Sequence, residues 1–451
     1  MPLFPSCART SFFVGTALAG ALAWTPSARA EDPSRSYGGP AQVAWAGSEG
    51  EEPDQPPSSV AVEREPPPVS GPTADVSPAP KGVGKVPEHT PRVLRPLKIG
   101  KDPLVLGGYI QPGFIAVGKT EFNQEDQNGF DFANARFTGR GARAFYEDEL
   151  HVGFFFNFDV NRGNFGVRDV YGSLWWRKEL IALDVGQMKQ PFGLALLQYE
   201  YGLQFSLSPV TRLLAFDRDQ GIRLRSQGTV GRVWMQGQAM IANGEGGFRQ
   251  RRNLDEKYQY TGRFEIGPLG EVPLFEPDLD NSPFRFVVGA NAGFTNSLGK
   301  GLGLNDAGAR ETRVGADLRL HFRGLSARAE YIHGLRGANG PEPAIERYAA
   351  HGQIGYMLPI PITLPRFELV FRFTQYDLNT VFDGTEGSDY VVDNTARRLY
   401  EPGVAIYLAG HAAKLLLSYR LTDLIEGPRV DINGDPLLGD TFFAFFHFAW
   451  L

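Results

Sequence analysis

Cysteine is almost absent from this 451-residue chain: Cys7 is the only one. Long apolar runs are scarce as well. The one near-continuous run is Ser11 to Trp24, so a bundle of spanning helices, each needing about 20 apolar residues, is excluded. Basic charge is not in excess either, because 45 Lys and Arg stand against 51 Asp and Glu, a net −6 that gives no reason to expect a nucleic-acid partner. The seven histidines are scattered, with no His-Glu-x-x-His and no Gly-x-Ser-x-Gly. The chain does hold 54 Gly and 33 Phe, and 12% of it is aromatic, which suits strands and tight turns better than helices.

The start of the chain reads as an export signal. Arg9, the apolar stretch Phe12 to Trp24 and the small-residue exit Ala28-Arg29-Ala30 have the three parts of a secretory signal, so residues 1–30 are expected to be removed, and Cys7 with them. From Glu31 to Pro96 the composition shifts: 14 of the 33 prolines fall there, without an apolar period. Such a stretch cannot bury enough surface to fold and reads as a disordered Pro-rich periplasmic linker. Residues 97–451 hold 16 prolines and are expected to form one folded domain.

That domain alternates with period two. Leu150, Val152, Phe154, Phe156, Phe158 and Val160 share one face, with His151, Gly153, Phe155, Asn157, Asp159 and Asn161 on the other. The same split recurs at Val314–Phe322, Phe367–Phe373 and Ala413–Leu421, and weaker copies begin near Leu104, Phe132, Arg168, Glu179, Gln220, Arg232, Lys257, Phe284, Leu325, Arg347, Leu399 and Thr441. Sixteen strands in 355 residues leaves roughly 22 residues for each strand and connection, enough for membrane strands of about 9–11 residues. The second face carries Arg, Asp, Glu, Asn and Gln, and no further elements are available to cover the apolar one. The expected fold class is therefore all-β: a transmembrane antiparallel β-barrel of about 16 strands, lipid outside and water inside, in the outer membrane of a Gram-negative bacterium. Tyr109, Tyr171, Trp175, Trp176, Tyr258, Tyr260, Tyr331, Tyr356 and Tyr419 are expected to sit in interfacial aromatic girdles.

The run Asp184-Val185-Gly186-Gln187-Met188-Lys189-Gln190-Pro191-Phe192-Gly193 resembles the Gly-Gln-x-Lys-x-Pro-Phe-Gly segment of the outer-membrane phosphate-selective porins O and P. Arg136–Gly141, Val170–Leu174 and Asp217–Leu224 match further segments of that family in the same order, over most of residues 104–451. The resemblance implies a homotrimer of sixteen-stranded barrels, assembled by the barrel-assembly machinery, with the third loop folded into the pore and basic residues selecting phosphate. The chain departs from the family by ending in Leu451 after Trp450.

Removing water from phosphate requires replacement donors, which Arg supplies as a fixed fork and Lys as a mobile point charge. The polar phases offer Arg136, Arg140, Arg223, Arg225, Arg313, Arg319, Arg323, Arg328, Arg372 and Arg420. Between Gly186 and Phe216, Lys189 is the only lysine and Arg212 the only arginine, and Lys189 is the leading candidate for the constriction. From Leu97 onward 37 Lys and Arg face 41 Asp and Glu, so an anion preference must come from local placement. Arg136 with Arg140 and Arg223 with Arg225 are the informative pairs, since neither has an intervening acid on its own strand face. Gly293–Gly301 reads as a Gly-rich loop, Asn433-Gly434 as a turn, and His447 as a packed or interface histidine; no cofactor or metal is expected. The expected function is passive diffusion of phosphate, polyphosphate or other anions. The alternative is a general or structural barrel tethered through residues 31–96.

Overall fold

A computed structural model describes residues 97–99, 104–118, 128–145, 149–161, 164–177, 180–244, 246, 257–296, 310–337, 345–362, 364–378, 396–425 and 439–450. The segments expected as signal peptide and linker, the Asn433-Gly434 turn and Leu451 lie outside them. Among the described residues the strands are β1 (Leu97–Ile99), β2 (Leu104–Val117), β3 (Gly129–Phe145), β4 (Leu150–Asn161), β5 (Asn164–Trp176), β6 (Ile181–Lys189), β7 (Arg218–Val230), β8 (Val233–Ala242) and β9 (Gln259–Gly267). They continue as β10 (Arg285–Thr295), β11 (Glu311–Phe322), β12 (Leu325–Arg336), β13 (Ile345–Met357), β14 (Arg366–Asp377), β15 (Arg397–Tyr407), β16 (Ala413–Leu424) and β17 (Thr441–Trp450).

From β2 to β17 each strand pairs antiparallel with the next, and β17 returns to β2 through Thr441↔Val117 and Trp450↔Gly108, closing a sixteen-stranded barrel. Closure leaves these strands without a free edge, the condition a sheet must meet in hydrocarbon. The three-residue β1 pairs with β2 just beyond the end of β17, at Leu97↔Leu106. Each expected strand start lies within four residues of an observed one. Gly293 to Thr295 belong to β10, a correction to their reading as loop, because the alternation of that strand runs through them. Pro112, which cannot donate to the ladder, sits where β2 shifts register against β3.

The outer face is an apolar band. Val152, Phe154, Val185, Ile222, Leu224, Phe264, Val314, Leu369, Phe371 and Phe446 all point away from the lumen and are well exposed there, where lipid is the matching solvent. Three of the expected girdle aromatics are corrected: Tyr109 and Trp175 are buried inside the barrel, and Tyr171 lies on the same inward phase. Their strand position suggested an interface, but the parity of the pleat aims them at the lumen. Tyr258, Tyr260, Tyr331, Tyr356 and Tyr419 are exposed on the outside.

Candidate functional site: the lumen and its two inward segments

The chain leaves the wall at the end of β6, and the residues of the Gly186–Gly193 run make that departure. Gly186 has φ of 139°, and a Cβ there would come within 2.3 Å of the Val170 carbonyl oxygen on β5. Beyond Val170, toward its own start, β5 has no β6 partner, and the Gln187 side chain donates instead to the Val167 and Arg168 carbonyls at 2.7 and 2.9 Å. Lys189 donates to the Gln198 carbonyl at 2.6 Å and to that of Leu197 at 3.4 Å, with its ammonium 4.6 Å from the centre of the Tyr199 ring. Gly193, at φ of 74°, opens a helical turn, α1 (Leu194–Leu197). Lys189 thus ties the loop back onto the strand that launches it.

Residues 190–217 then cross the lumen. They contain α1, a 3₁₀ turn at Glu200–Gly202 and a second helical turn, α2 (Thr211–Leu214). Phe192, Leu196, Leu214 and Phe216 pack against Ile332, Ala349, Tyr376 and Leu399, on the far wall formed by β12 to β15. Polar clamps hold the rest of the segment. Glu330 accepts from the Leu194 and Ala195 amides and from the Thr211 hydroxyl, Arg372 donates to the Leu207 carbonyl at 2.9 Å, Arg313 to that of Leu214 at 2.8 Å, and Lys414 to those of Tyr201 and Leu203. On β3, Arg136 holds Glu200 through both carboxylate oxygens, assisted by Arg212 at 3.0 Å and by the Tyr109 hydroxyl at 2.8 Å.

A second segment, residues 268–284 between β9 and β10, also enters the barrel. Phe275, Glu276 and Asp278 are buried. Glu276 accepts from the Gln204 amide at 2.6 Å and the Gln353 side chain at 2.8 Å, while its own amide donates to the Gly202 carbonyl at 2.9 Å. The Phe275 ring stacks on His411 at 4.3 Å and meets Tyr201 at 5.6 Å. Arg328 donates to the Phe275 carbonyl. The two inward segments are therefore fastened to each other as well as to the wall.

Beside them, against the wall of β3 to β9, lies a cavity of about 220 Å³. Five cations border it, Arg140, Lys189, Arg223, Arg225 and Arg319, against three acids, Asp169, Glu265 and Glu271. Arg136, Arg212 and Arg313 hold the inward loop and do not border this space. Most of the basic groups are neutralised across the sheet. Asp184 stands directly opposite Arg223 in register and takes charge-assisted hydrogen bonds from Arg223 at 2.9 Å and Arg225 at 2.6 Å. Asp159 is likewise opposite Arg136 and is bound by Arg168. The two pairs expected to be free of acid therefore meet one from the neighbouring strand, a correction that needs the register to be seen. Glu401 is shared by Arg372 and Arg420, Glu265 by Arg263 and Arg319, and Asp317 is gripped by Arg263 at 2.7 and 2.8 Å. Arg323 lies in the β11–β12 turn, off the lumenal face. Arg140 has no hydrogen bond or ion pair among the described residues.

Reading the sequence missed Arg218, which pairs with Asp169 at 2.8 Å, and Arg263, although both are buried lumenal cations. Their phase on β7 and β9 was available as a signal. His447 is fully buried and stacked on Tyr109 at 5.4 Å.

No protein-family model matches the sequence, and no curated protein matches it. Among solved structures, the barrel is similar to the anion-selective porin from Comamonas acidovorans, at 12% identity over 77% of this chain and 99% of that one, with a TM-score of 0.51. OmpF of Salmonella typhi (14% identity, 78% and 100% covered, TM-score 0.49) and the outer membrane channel DcaP of Acinetobacter baumannii (11%, 79% and 100%, TM-score 0.48) are more distant in shape. What the first of these shares with the chain is its architecture: the protein has the fold of a porin.

Proposed function

We propose that the protein is an outer-membrane channel through which small anions diffuse passively. The observation that carries this reading is the excess of cations, five against three lining acids with Asp184 behind them, around the cavity beside the inward segments. Low-dielectric walls focus a local excess of this kind even where the whole chain is acidic. Arg140, Lys189, Arg223, Arg225 and Arg319 form the pore-lining set, and Arg136, Arg212 and Arg313 are positioning residues that keep the loop docked. The resemblance of Gly186–Gly193 to the phosphate-selective porins O and P supports phosphate or polyphosphate as permeants, a homotrimeric assembly and delivery by the barrel-assembly machinery. Residues 1–30 would serve as the export signal and 31–96 as a periplasmic linker.

Reversal potential in a planar bilayer under a KCl gradient tests the reading. The wild-type channel is expected to reverse with the sign of an anion-preferring pore, and Arg140→Ala to move that potential toward zero. A cation-selective sign overturns the proposal. A barrel that inserts without conducting also overturns it, in favour of a structural role tethered through residues 31–96.

A further inference from the structure

The cavity is lined by rings as well as charges. Phe155 and Tyr171 meet at 5.4 Å between ring centres, and Tyr199 borders the same space beneath the Lys189 ammonium. The hydroxyls of Tyr171 and Tyr199 have no hydrogen-bond partner among the described residues, nor has the Arg140 guanidinium. Aromatic faces and phenol donors beside a free guanidinium form a mixed surface, apolar on one side and cationic on the other.

We infer that this cavity binds an organic anion that joins a carboxylate to an aromatic ring. The inference rests on the anion-channel reading and assigns to this cavity a class of solute other than the phosphate that the family resemblance supports. A carboxylate presents two coplanar oxygens that match the fork of Arg140, and the ring packs among Phe155, Tyr171 and Tyr199 in the offset or edge-on geometries aromatic pairs prefer. Inorganic phosphate can use the cations and the phenol hydroxyls but gains nothing from the ring faces. Its desolvation cost grows with the square of its charge while its attraction grows linearly, and Asp184 already occupies Arg223 and Arg225. At about 220 Å³ the space lies below the roughly 300 Å³ at which pockets for drug-sized ligands begin, which suits a single ring.

The test is block of chloride current through the full-length channel in planar bilayers by benzoate, acetate and inorganic phosphate, each titrated separately. Benzoate is expected to block at a concentration about tenfold lower than acetate or phosphate, the value of one well-packed ring. Tyr199→Leu is expected to shrink that advantage, while Tyr171→Phe, which keeps the ring, retains most of it. Equal block by benzoate and acetate overturns the inference and leaves the anion channel standing, as does phosphate blocking at the lowest concentration. A wild-type channel without anion preference removes the function reading first, and the ligand site with it.

Discussion

Arg136 and Glu200 meet fork to fork in the lumen, Nη1 to Oε2 at 2.6 Å and Nη2 to Oε1 at 2.8 Å, joining the barrel wall to the middle of the inward loop. Both are buried, and the Tyr109 hydroxyl donates to the same carboxylate. Burial alone would raise the pKa of Glu200, but Arg136 and Arg212 more than reverse this and hold it well below its ordinary 4.5. A carboxyl lowered in the folded state contributes stability above its unfolded pKa and loses it as pH falls through the folded one. The loop is therefore expected to stay docked from neutral pH down to about 4.5 and to loosen only below it, seen as flicker in single-channel current that starts in that acid range. Glu200→Gln leaves Arg136 buried against a neutral group, at a cost of about 3–5 kcal/mol, and is expected to flicker at neutral pH as well.

Asp184 sets how much of the β7 charge reaches the solute. It is fully buried and takes hydrogen bonds from both Arg223 and Arg225, so two cations show a net charge of one to the lumen. Asp184→Asn releases a further unit charge. At roughly 10 Å in water, one charge changes local ion concentration by about twofold, raising chloride and lowering potassium together. The chloride-to-potassium permeability ratio is expected to rise about two- to fourfold, read from the reversal potential. An unchanged ratio would show that permeating ions do not pass the β6–β7 wall.

The segment between β9 and β10 restricts the lumen because it is anchored at Phe275 and Glu276. Phe275→Ala removes the ring stacked on His411 and is expected to cost about 3–5 kcal/mol of docking. Replacing residues 271–279 by a short turn goes further and takes Glu276 away from Gln204 and Gln353. Single-channel conductance is expected to rise in both variants and more in the second, with the folded barrel retained. Conductance equal to wild type in the shortened chain would place the narrowest point elsewhere.

The strands were legible because a membrane barrel writes its two solvents into alternate residues. Leu150 to Val160 alone reveals which face meets lipid, and sixteen such stretches recover the sixteen barrel strands β2 to β17. Charge pairing was not legible, since Asp184 and Arg223 lie 39 positions apart and meet only through register, where a shift of one residue would turn each side chain to the other face. The inward aromatics could have been found by parity instead of by nearness to a strand end. Residues 268–284 left a length signal: the connections at 231–232 and 323–324, at the same end of the barrel, have only two residues each. Of the twelve cations named from the sequence, five border the cavity, and Arg136, Arg212, Arg313 and Arg372 hold the loop that shapes it.

Gly186 gives the most specific test of how the chain is steered into the lumen. Its φ of 139° is one that side chains rarely adopt, and a Cβ would lie 2.3 Å from the Val170 carbonyl oxygen and 2.7 Å from the Tyr171 Cα. Gly186→Ala must therefore strain the backbone or push β6 off β5, at a cost of about 1–3 kcal/mol. Because the departure of the chain at Lys189 follows three residues later, the strain falls on the step that docks the loop. The yield of heat-resistant barrel in a gel-shift refolding assay is expected to drop. Gly172→Ala is the matched control on the neighbouring strand, since the nearest atom its Cβ would meet is the Gly153 carbonyl oxygen at 3.9 Å. If both variants refold with equal yield, Gly186 is not what turns the chain, and the steering lies with Gln187 and Lys189 instead.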